Sequence, residues 1–211
     1  MGRLIVFEGV EGCGKTTQLH KTHQWLESLS LSVVVTREPG GTSLGTDLRE
    51  LLLNNATQPI DDSTELLLYA ADRAQHVEEL LRPELAKRKI VLCDRYVDST
   101  VAYQGYGRGL NLALIAQLNQ IATKGLESDL TIWFDIDVAI SLARKQPDQS
   151  DRIEKQAIEF HRRVQQGYTE LAQTAGDRMI RIDANRSIAE IQAEVQQILL
   201  QRFPEIKSQN S

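Results

Sequence analysis

The sequence predicts a three-layer α/β domain built on a parallel sheet, for three reasons. Apolar runs alternate along the chain with segments of helical periodicity. Most of those apolar runs are short and continuous, as when both faces of a parallel sheet are covered. And the first run leads straight into Gly9-Val10-Glu11-Gly12-Cys13-Gly14-Lys15-Thr16, a G-x-x-x-x-G-K-[ST] spacing that belongs between a strand and a helix.

Each element follows in order. Arg3–Glu8, with Leu4-Ile5-Val6-Phe7 inside it, reads as a buried first strand. The glycines after it let the backbone wrap a phosphate chain with N–H groups pointing inward. The helix expected over residues 17–29 adds its positive dipole end. In such a loop Lys15 reaches the β- and γ-phosphates of a nucleotide, and the Thr16 hydroxyl binds Mg²⁺. Ser32–Thr36 is the second strand candidate, followed by Leu44, Leu48, Leu51 and Leu52 at helical spacing. Ile90–Asp94 is the third, followed by Leu110, Leu114, Leu118 and Ile121 at nearly the same spacing. Leu130–Asp135 and Met179–Asp183 complete the strands. Ile188, Ile191, Val195, Ile198 and Leu199 mark the last helix, with Ser187 as its N-cap.

Ligands of such sheets bind at the carboxyl ends of the strands, and the remaining motifs all fall there. After the second strand comes Thr36-Arg37-Glu38-Pro39-Gly40-Gly41, where Arg37 is a fork-shaped cation suited to phosphate or a plain surface arginine on a turn. After the third comes Cys93-Asp94-Arg95-Tyr96. Asp94 stands where a Mg²⁺-associated carboxylate belongs, and Arg95 offers a second phosphate cation; a salt-bridged strand end is the other reading. The polar, aromatic, glycine-rich run from Asp98 to Gly109 has Ser, Tyr and Gln groups able to bond or wall off a base and sugar. Residues 144–152, basic at both ends, suit a mobile lid as well as they suit a solvated connection.

Composition narrows the class. The chain has 211 residues, 41% hydrophobic and 25% charged, the size and make-up of one globular domain over residues 1–211. A net charge of -5 argues against a nucleic-acid binder. No 18-residue apolar run predicts a membrane span, and no N-terminal apolar run predicts a secretory signal. Cys13 and Cys93 lack metal-like spacing and read as free thiols, which points to the cytoplasm. Cys13, at a helix N-terminus beside Lys15, is expected to have a lowered pKa and to react with alkylating agents. His20 and His23 read as surface residues without a third ligand, and His76 and His161 as ordinary helix residues. Residues 204–211 are expected to fray.

Taken together, Phe7-Glu8-Gly9 through Thr17, Thr36 through Gly41, Asp94-Arg95-Tyr96, Ser99 with Ala102-Tyr103-Gln104-Gly105, Gly107-Arg108-Gly109 and Asp151-Arg152-Ile153-Glu154 resemble the bacterial thymidylate kinases, P-loop nucleoside monophosphate kinases. The resemblance spans about residues 3–185. It implies a P-loop kinase fold with five parallel strands flanked by helices and a short lid, transfer of the γ-phosphoryl of ATP to dTMP, Mg²⁺ as cofactor and a homodimer. It implies ATP on residues 9–17, ending at Thr17, with Mg²⁺ on Thr16 and Asp94. It places Glu11 near the deoxyribose 3′-hydroxyl, Arg37 and Arg95 on the dTMP phosphate, and Arg73 and Tyr69 at the thymine. Ser99 and Gln104 would bond base or sugar edges, and Tyr103 would fill the space of a ribose 2′-hydroxyl. Lys15, Arg95, Arg144 and Arg152 would act on the transferring group, and the resemblance leaves open which of Arg144 and Lys145 joins Arg152. Rival readings are a kinase for another nucleoside monophosphate, a GTPase-type switch, for which the Asn-Lys-x-Asp motif is missing, and a ligase acting on a carboxylate.

Overall fold

The computed structural model describes residues 2–54, 59–144, 151–153 and 155–206. β1 (Arg3–Glu8), β2 (Val33–Arg37), β3 (Ile90–Asp94), β4 (Leu130–Asp135) and β5 (Met179–Asp183) form one parallel sheet in the order β2-β3-β1-β4-β5. β1 and β3 are neighbours whose onward connections run to opposite sides of the sheet, the crevice where ligands of open α/β sheets sit. The register brings Arg37 and Asp94 together across β2 and β3, and Phe7 opposite Asp94 across β1 and β3. The ends of β1, β2 and β3 therefore deliver the loop at Gly9, Arg37 and Asp94 to one edge.

Alternation along β1 builds two cores. Ile5 and Phe7 face one side with Leu19 and Leu26 of α1 (Lys15–Ser28) and Ile191 and Val195 of α9 (Ile188–Arg202). Leu4 and Val6 face the other with Val91, Cys93, Val77 and Leu81. Period-2 burial on both faces makes the sheet the middle of three layers. The second layer of helices holds α2 (Ser43–Leu53), α3 (Asp62–His76) and α6 (Leu112–Thr123), with α3 packed between α2 and α6. α3 runs on through a π-helical turn, Val77–Leu81, into α4 (Arg82–Ala86). The last helix begins with a reciprocal capping box of Ser187 and Glu190.

The structure corrects several sequence expectations. β2 is shifted by one residue, because its pairing with β3 starts at Val33 and ends at Arg37. α1 starts at Lys15, two residues before the expected start, since the phosphate-loop lysine is itself in the first turn. In α2 only Leu52 of the leucine stripe is buried, and Leu44 and Leu51 are exposed. In α6 Ile115 and Ala122 are buried, whereas Leu114 and Ile121 are exposed. The period was right for a helix in both cases, but the apolar stripe points outward. The run from Asp98 is helical: α5 (Val97–Thr100) opens into a π-helix over Val101–Gly107. The expected fray does not hold for Pro204–Ile206, which form a 3₁₀ turn that buries Ile206 beside Phe203, with Glu205 paired to Arg3 at 2.8 Å; residues 207–211 lie outside the described residues. Two further helices, α7 (Val138–Ala143) and α8 (Ile158–Thr174), flank the lid segment. Lys145 to Ser150 of that segment, and Glu154, lie outside the described residues.

Candidate active site

α1 begins without a side-chain cap and without an acidic residue in its first turn. α2, α3, α6, α7 and α9 are capped by Thr42, Asp61, Asn111, Asp137 and Ser187. The uncapped N–H groups of α1 and its dipole suit an anion. The loop before it needs glycine at two close approaches. A Cβ on Gly9, at φ 141°, would lie 2.5 Å from the Phe134 carbonyl oxygen, and one on Gly12, at φ 77°, 2.6 Å from that of Ser141. No side chain fits at Gly12, so cations for the phosphates must come from elsewhere. Val10 is buried under the loop, Gly14 is the left-handed residue that turns the chain into α1, and Thr17 is exposed in its first turn. Lys15 Nζ donates to the carbonyls of Gly9 at 3.0 Å and Val10 at 3.1 Å, holding the ammonium inside the loop.

Cys13 contradicts its expected reactivity. Its side chain turns inward and is 2% exposed. Burial dominates over the nearby Lys15 charge and pushes the thiol pKa up. Cys93 is buried as expected, and its pKa is also raised by burial. The native protein should therefore resist iodoacetamide at neutral pH at both cysteines, with or without ATP, and take up two labels only after denaturation. Mass spectrometry of native and denatured samples checks this; rapid native labelling of Cys13 would contradict it.

Thr16 Oγ1 donates to Asp94 Oδ2 at 3.1 Å, so the two oxygen donors sit side by side. Arg95 follows at φ 73°, in the left-handed region where a non-glycine residue is strained. That turn aims its guanidinium across the site. Nη2 pairs with Glu11 and donates to Tyr103 Oη at 3.1 Å, and Nη1 donates to Ser99 Oγ at 3.0 Å and Tyr168 Oη at 3.3 Å. Beneath it Glu8 is fully buried and accepts from the backbone of Tyr96 and Ser99 and from the hydroxyls of Ser99 and Tyr168. Burial pushes the Glu8 carboxyl up, against the lowering pull of Arg95.

Two cavities meet here. One is lined by Lys15, Thr16, Arg37 and Asp94 among others. The other is lined by Tyr69, Arg73, Ser99, Tyr103 and Gln104 among others. Glu11, Glu38, Arg49 and Arg95 line both. Arg73 is 2% exposed and fixed on four sides, donating to Glu38 at 2.8 Å, Thr100 at 2.9 Å, Asn119 at 2.8 Å and the Tyr96 carbonyl at 3.0 Å. Glu38 binds His76 Nδ1 with its other oxygen at 2.8 Å, and His76 Nε2 lies 2.7 Å from Thr36 Oγ1. His76 is thus a fully buried bracket rather than an ordinary helix residue. The phenol of Tyr69 is pushed up, chiefly by burial. Gln104 donates to Glu65, which also holds Arg108 and Arg152. Arg152 further donates to the Leu52 carbonyl at 2.9 Å. Arg144 is exposed at the end of α7, one turn after Ser141, whose hydroxyl donates to the Glu11 carbonyl.

Sequence reasoning missed Glu8, Glu38, Glu65, Arg49 and His76. A cation set as dense as Arg37, Arg73, Arg95 and Arg152 was the available signal, since buried charges need partners. Arg49 donates to the Pro39 carbonyl at 2.9 Å, and its pKa is lowered by burial and by Arg37.

Asp72 carries a pH prediction. Its Oδ1 accepts from the Gly40 N–H at 3.0 Å, while Oδ2 is buried with no partner among the described residues. Burial, then the Glu38 carboxylate, push its pKa from 3.8 to about 6. The folded pKa lies above the unfolded one, so Asp72 favours the fold when protonated and that contribution is lost as pH rises through about 6. Asp72→Asn should therefore gain about 2 to 3 kcal/mol over the native chain between pH 4 and pH 8, an order-of-magnitude figure from the shift. Urea unfolding of both at several pH values measures it; parallel pH dependences would contradict it.

The fold and this site define a P-loop phosphotransferase, with a nucleotide-phosphate loop opening onto a second, arginine-lined cavity. The profile of the family described as thymidylate kinase matches residues 7–195. The chain belongs to the thymidylate kinase family. It is 64% identical over 201 residues to thymidylate kinase of Nostoc punctiforme, covering 94% of this chain and 95% of that one. It is 56% identical to thymidylate kinase of Trichodesmium erythraeum, covering 98% and 99%. The crystal structure of thymidylate kinase from Ehrlichia chaffeensis superposes with a TM-score of 0.78 at 36% identity, covering 93% of this chain and 97% of that one.

Proposed function

We propose that this chain transfers the γ-phosphoryl of ATP to dTMP, giving ADP and dTDP. The observation that carries the reading is the pair of cavities sharing Glu11, Arg49 and Arg95, so that a donor phosphate chain and an acceptor phosphate can meet at the two shared cations. The family membership supports dTMP as acceptor. ATP lies along Gly9 to Thr17, and dTMP lies in the second cavity with its phosphate at the junction of the two, on Arg95 and Arg49, which line both, and on Arg37 from the wall of the first. Arg73, Tyr69, Ser99 and Gln104 take the base, Glu11 the 3′-hydroxyl, and Tyr103 the space beside the sugar.

The nucleophile is an oxygen of the dTMP phosphate, whose second pKa of about 6 leaves it largely dianionic at neutral pH, so no general base is required. A bond forms from that oxygen to the γ-phosphorus as the bond from the γ-phosphorus to the bridging oxygen of ADP breaks. Lys15, Arg37 and Arg95 offset the repulsion between the anions and stabilise charge on the transferring group. Arg152, held on Glu65 and the Leu52 carbonyl, and Arg144, exposed at the end of α7, line neither cavity and would have to swing in from the lid side to reach it. The hydroxyl of Thr16 and the carboxylate of Asp94 are hard oxygen donors, side by side, that fit Mg²⁺ and would hold it. Mg²⁺ would supply charge neutralisation on the β- and γ-oxygens when bound.

The partner proposed is a second copy of the chain. Leu51, Leu67 and Ile121 on α2, α3 and α6 are 59%, 57% and 71% exposed on one layer of adjacent helices, an apolar face that a monomer would leave in water. Sedimentation equilibrium should give twice the chain mass. A cytoplasmic location suits two free thiols and an ATP-dependent reaction; among the described residues no helix is long and apolar enough to cross a membrane. The reaction is tested with γ-labelled ATP and dTMP: label should appear in dTDP, whereas label released only as inorganic phosphate would favour a GTPase-type hydrolase.

A further inference from the structure

Glu65 lies fully buried behind Gln104 and saturates both carboxylate oxygens. Oε1 accepts from Gln104 Nε2 at 2.8 Å and Arg108 Nε at 3.3 Å. Oε2 accepts from Arg108 Nη2 at 3.0 Å and from Arg152 Nη2. Two guanidinium groups on one carboxylate keep it ionised. Burial pushes its pKa up, but the hydrogen bonds from Arg108, Gln104 and Arg152 outweigh that and leave it lowered.

An ionised carboxylate can only accept hydrogen bonds. It therefore decides which end of the Gln104 carboxamide faces it. The NH₂ must turn to Glu65, and the carbonyl Oε1 is left for the cavity, whose wall Gln104 forms. With Nε2 committed to Glu65, Oε1 is the carboxamide atom left to meet a ligand. An acceptor presented to a ligand cavity selects for a ligand that carries a donor there.

We propose that Glu65 is a specificity-determining positioning residue: by fixing the Gln104 carboxamide it presents an acceptor to the base, selecting a pyrimidine with N3–H over one with a lone pair at N3. The proposal rests on the acceptor reading of this cavity. Thymine has the N3–H and cytosine has the lone pair. A neutral amide at position 65 can donate as well as accept, so it frees Gln104 to flip and present its NH₂.

The test compares dTMP with 5-methyl-dCMP, which shares the methyl group, sugar and phosphate and differs only at positions 3 and 4 of the ring. Glu65→Gln should lower the native ratio of kcat/KM for dTMP over 5-methyl-dCMP by about tenfold, the scale of one misdirected hydrogen bond. A merely structural loss lowers both substrates alike and leaves the ratio unchanged, and that result in a folded variant overturns the proposal. If Glu65→Gln does not fold, nitrogen-15 NMR of the native protein with dTMP decides. The Gln104 carboxamide protons should keep their contact with Glu65 and show none to the thymine; contacts from those protons to the thymine edge overturn the proposal. No turnover or binding of dTMP by the native protein would overturn the acceptor reading itself, a result distinct from an unchanged ratio.

Discussion

Lys15→Ala should fold normally and lose phosphoryl transfer by at least about a thousandfold, the scale of a charge-stabilising group in this chemistry. The ammonium sits in the mouth of the loop, on the Gly9 and Val10 carbonyls at 3.0 and 3.1 Å. Those carbonyls hold it where a β,γ-phosphate would arrive and give it somewhere to rest before that. Truncation removes the charge without opening either core, because Lys15 is in neither. The stability cost should stay near 1 kcal/mol, the worth of ordinary hydrogen bonds. Turnover by single-turnover kinetics and unfolding by urea separate the two effects. A folded variant with near-native turnover would remove Lys15 from the mechanism.

Arg95→Met should be as damaging to catalysis and, unlike the lysine change, damaging to the fold. The guanidinium is bound by Glu11, Ser99, Tyr103 and Tyr168 and lies 4.9 Å from the Tyr103 ring centre. Burial works against its charge, but Glu11, Tyr103, Tyr168 and Glu8 together raise its pKa well above the usual value. As one of the cations proposed for the acceptor phosphate, its loss should lower kcat/KM for dTMP by about a thousandfold. It also leaves the buried Glu8 without the charge that offsets its desolvation, at a cost of about 3 kcal/mol. The sign with pH follows. The folded pKa of Glu8 is already raised and rises further in the variant, so its ionised form opposes folding and protonation relieves the penalty. The stability gap between variant and native protein should shrink as pH falls. A gap that widens on acidification would contradict this account of Glu8.

Both predictions concern residues legible in the sequence, and the contrast with the illegible ones is physical. The phosphate loop, Asp94 and Arg95 sit at fixed distances from strand ends, so one strand assignment placed them all. Two strands have the observed bounds together with the motif at their end, Arg3–Glu8 and Ile90–Asp94, and Leu130–Asp135 has the observed bounds. Met179–Asp183 also matches, and only β2 slipped, where pairing rather than composition set the ends. Glu8, Glu38 and Glu65 were illegible because their roles depend on arginines 35 to 87 positions away in the chain, brought close only by packing. Arg95, for example, lies 87 residues from Glu8, and Arg152 lies 87 from Glu65.

Cys13 failed for a related reason. Its neighbours in sequence, a helix N-terminus and a lysine, favour a thiolate, but the direction of its side chain is set by the loop's turn at Gly12 and Gly14 and buries the sulfur. The leucine stripes of α2 and α6 show the same limit. Periodicity reports that a face is apolar, not whether its cover comes from this chain or another.

The central claim is that the second cavity takes dTMP as phosphoryl acceptor from ATP. The most direct measurement is coupled ADP release with Mg²⁺ and ATP, comparing kcat/KM across dTMP, dUMP, dCMP, dGMP and ribothymidine monophosphate. The account predicts that dTMP leads the series, with dUMP next among the bases because it keeps the N3–H, and with the ribonucleotide reduced by Tyr103. Equal rates across the series, or a purine monophosphate in the lead, would contradict it.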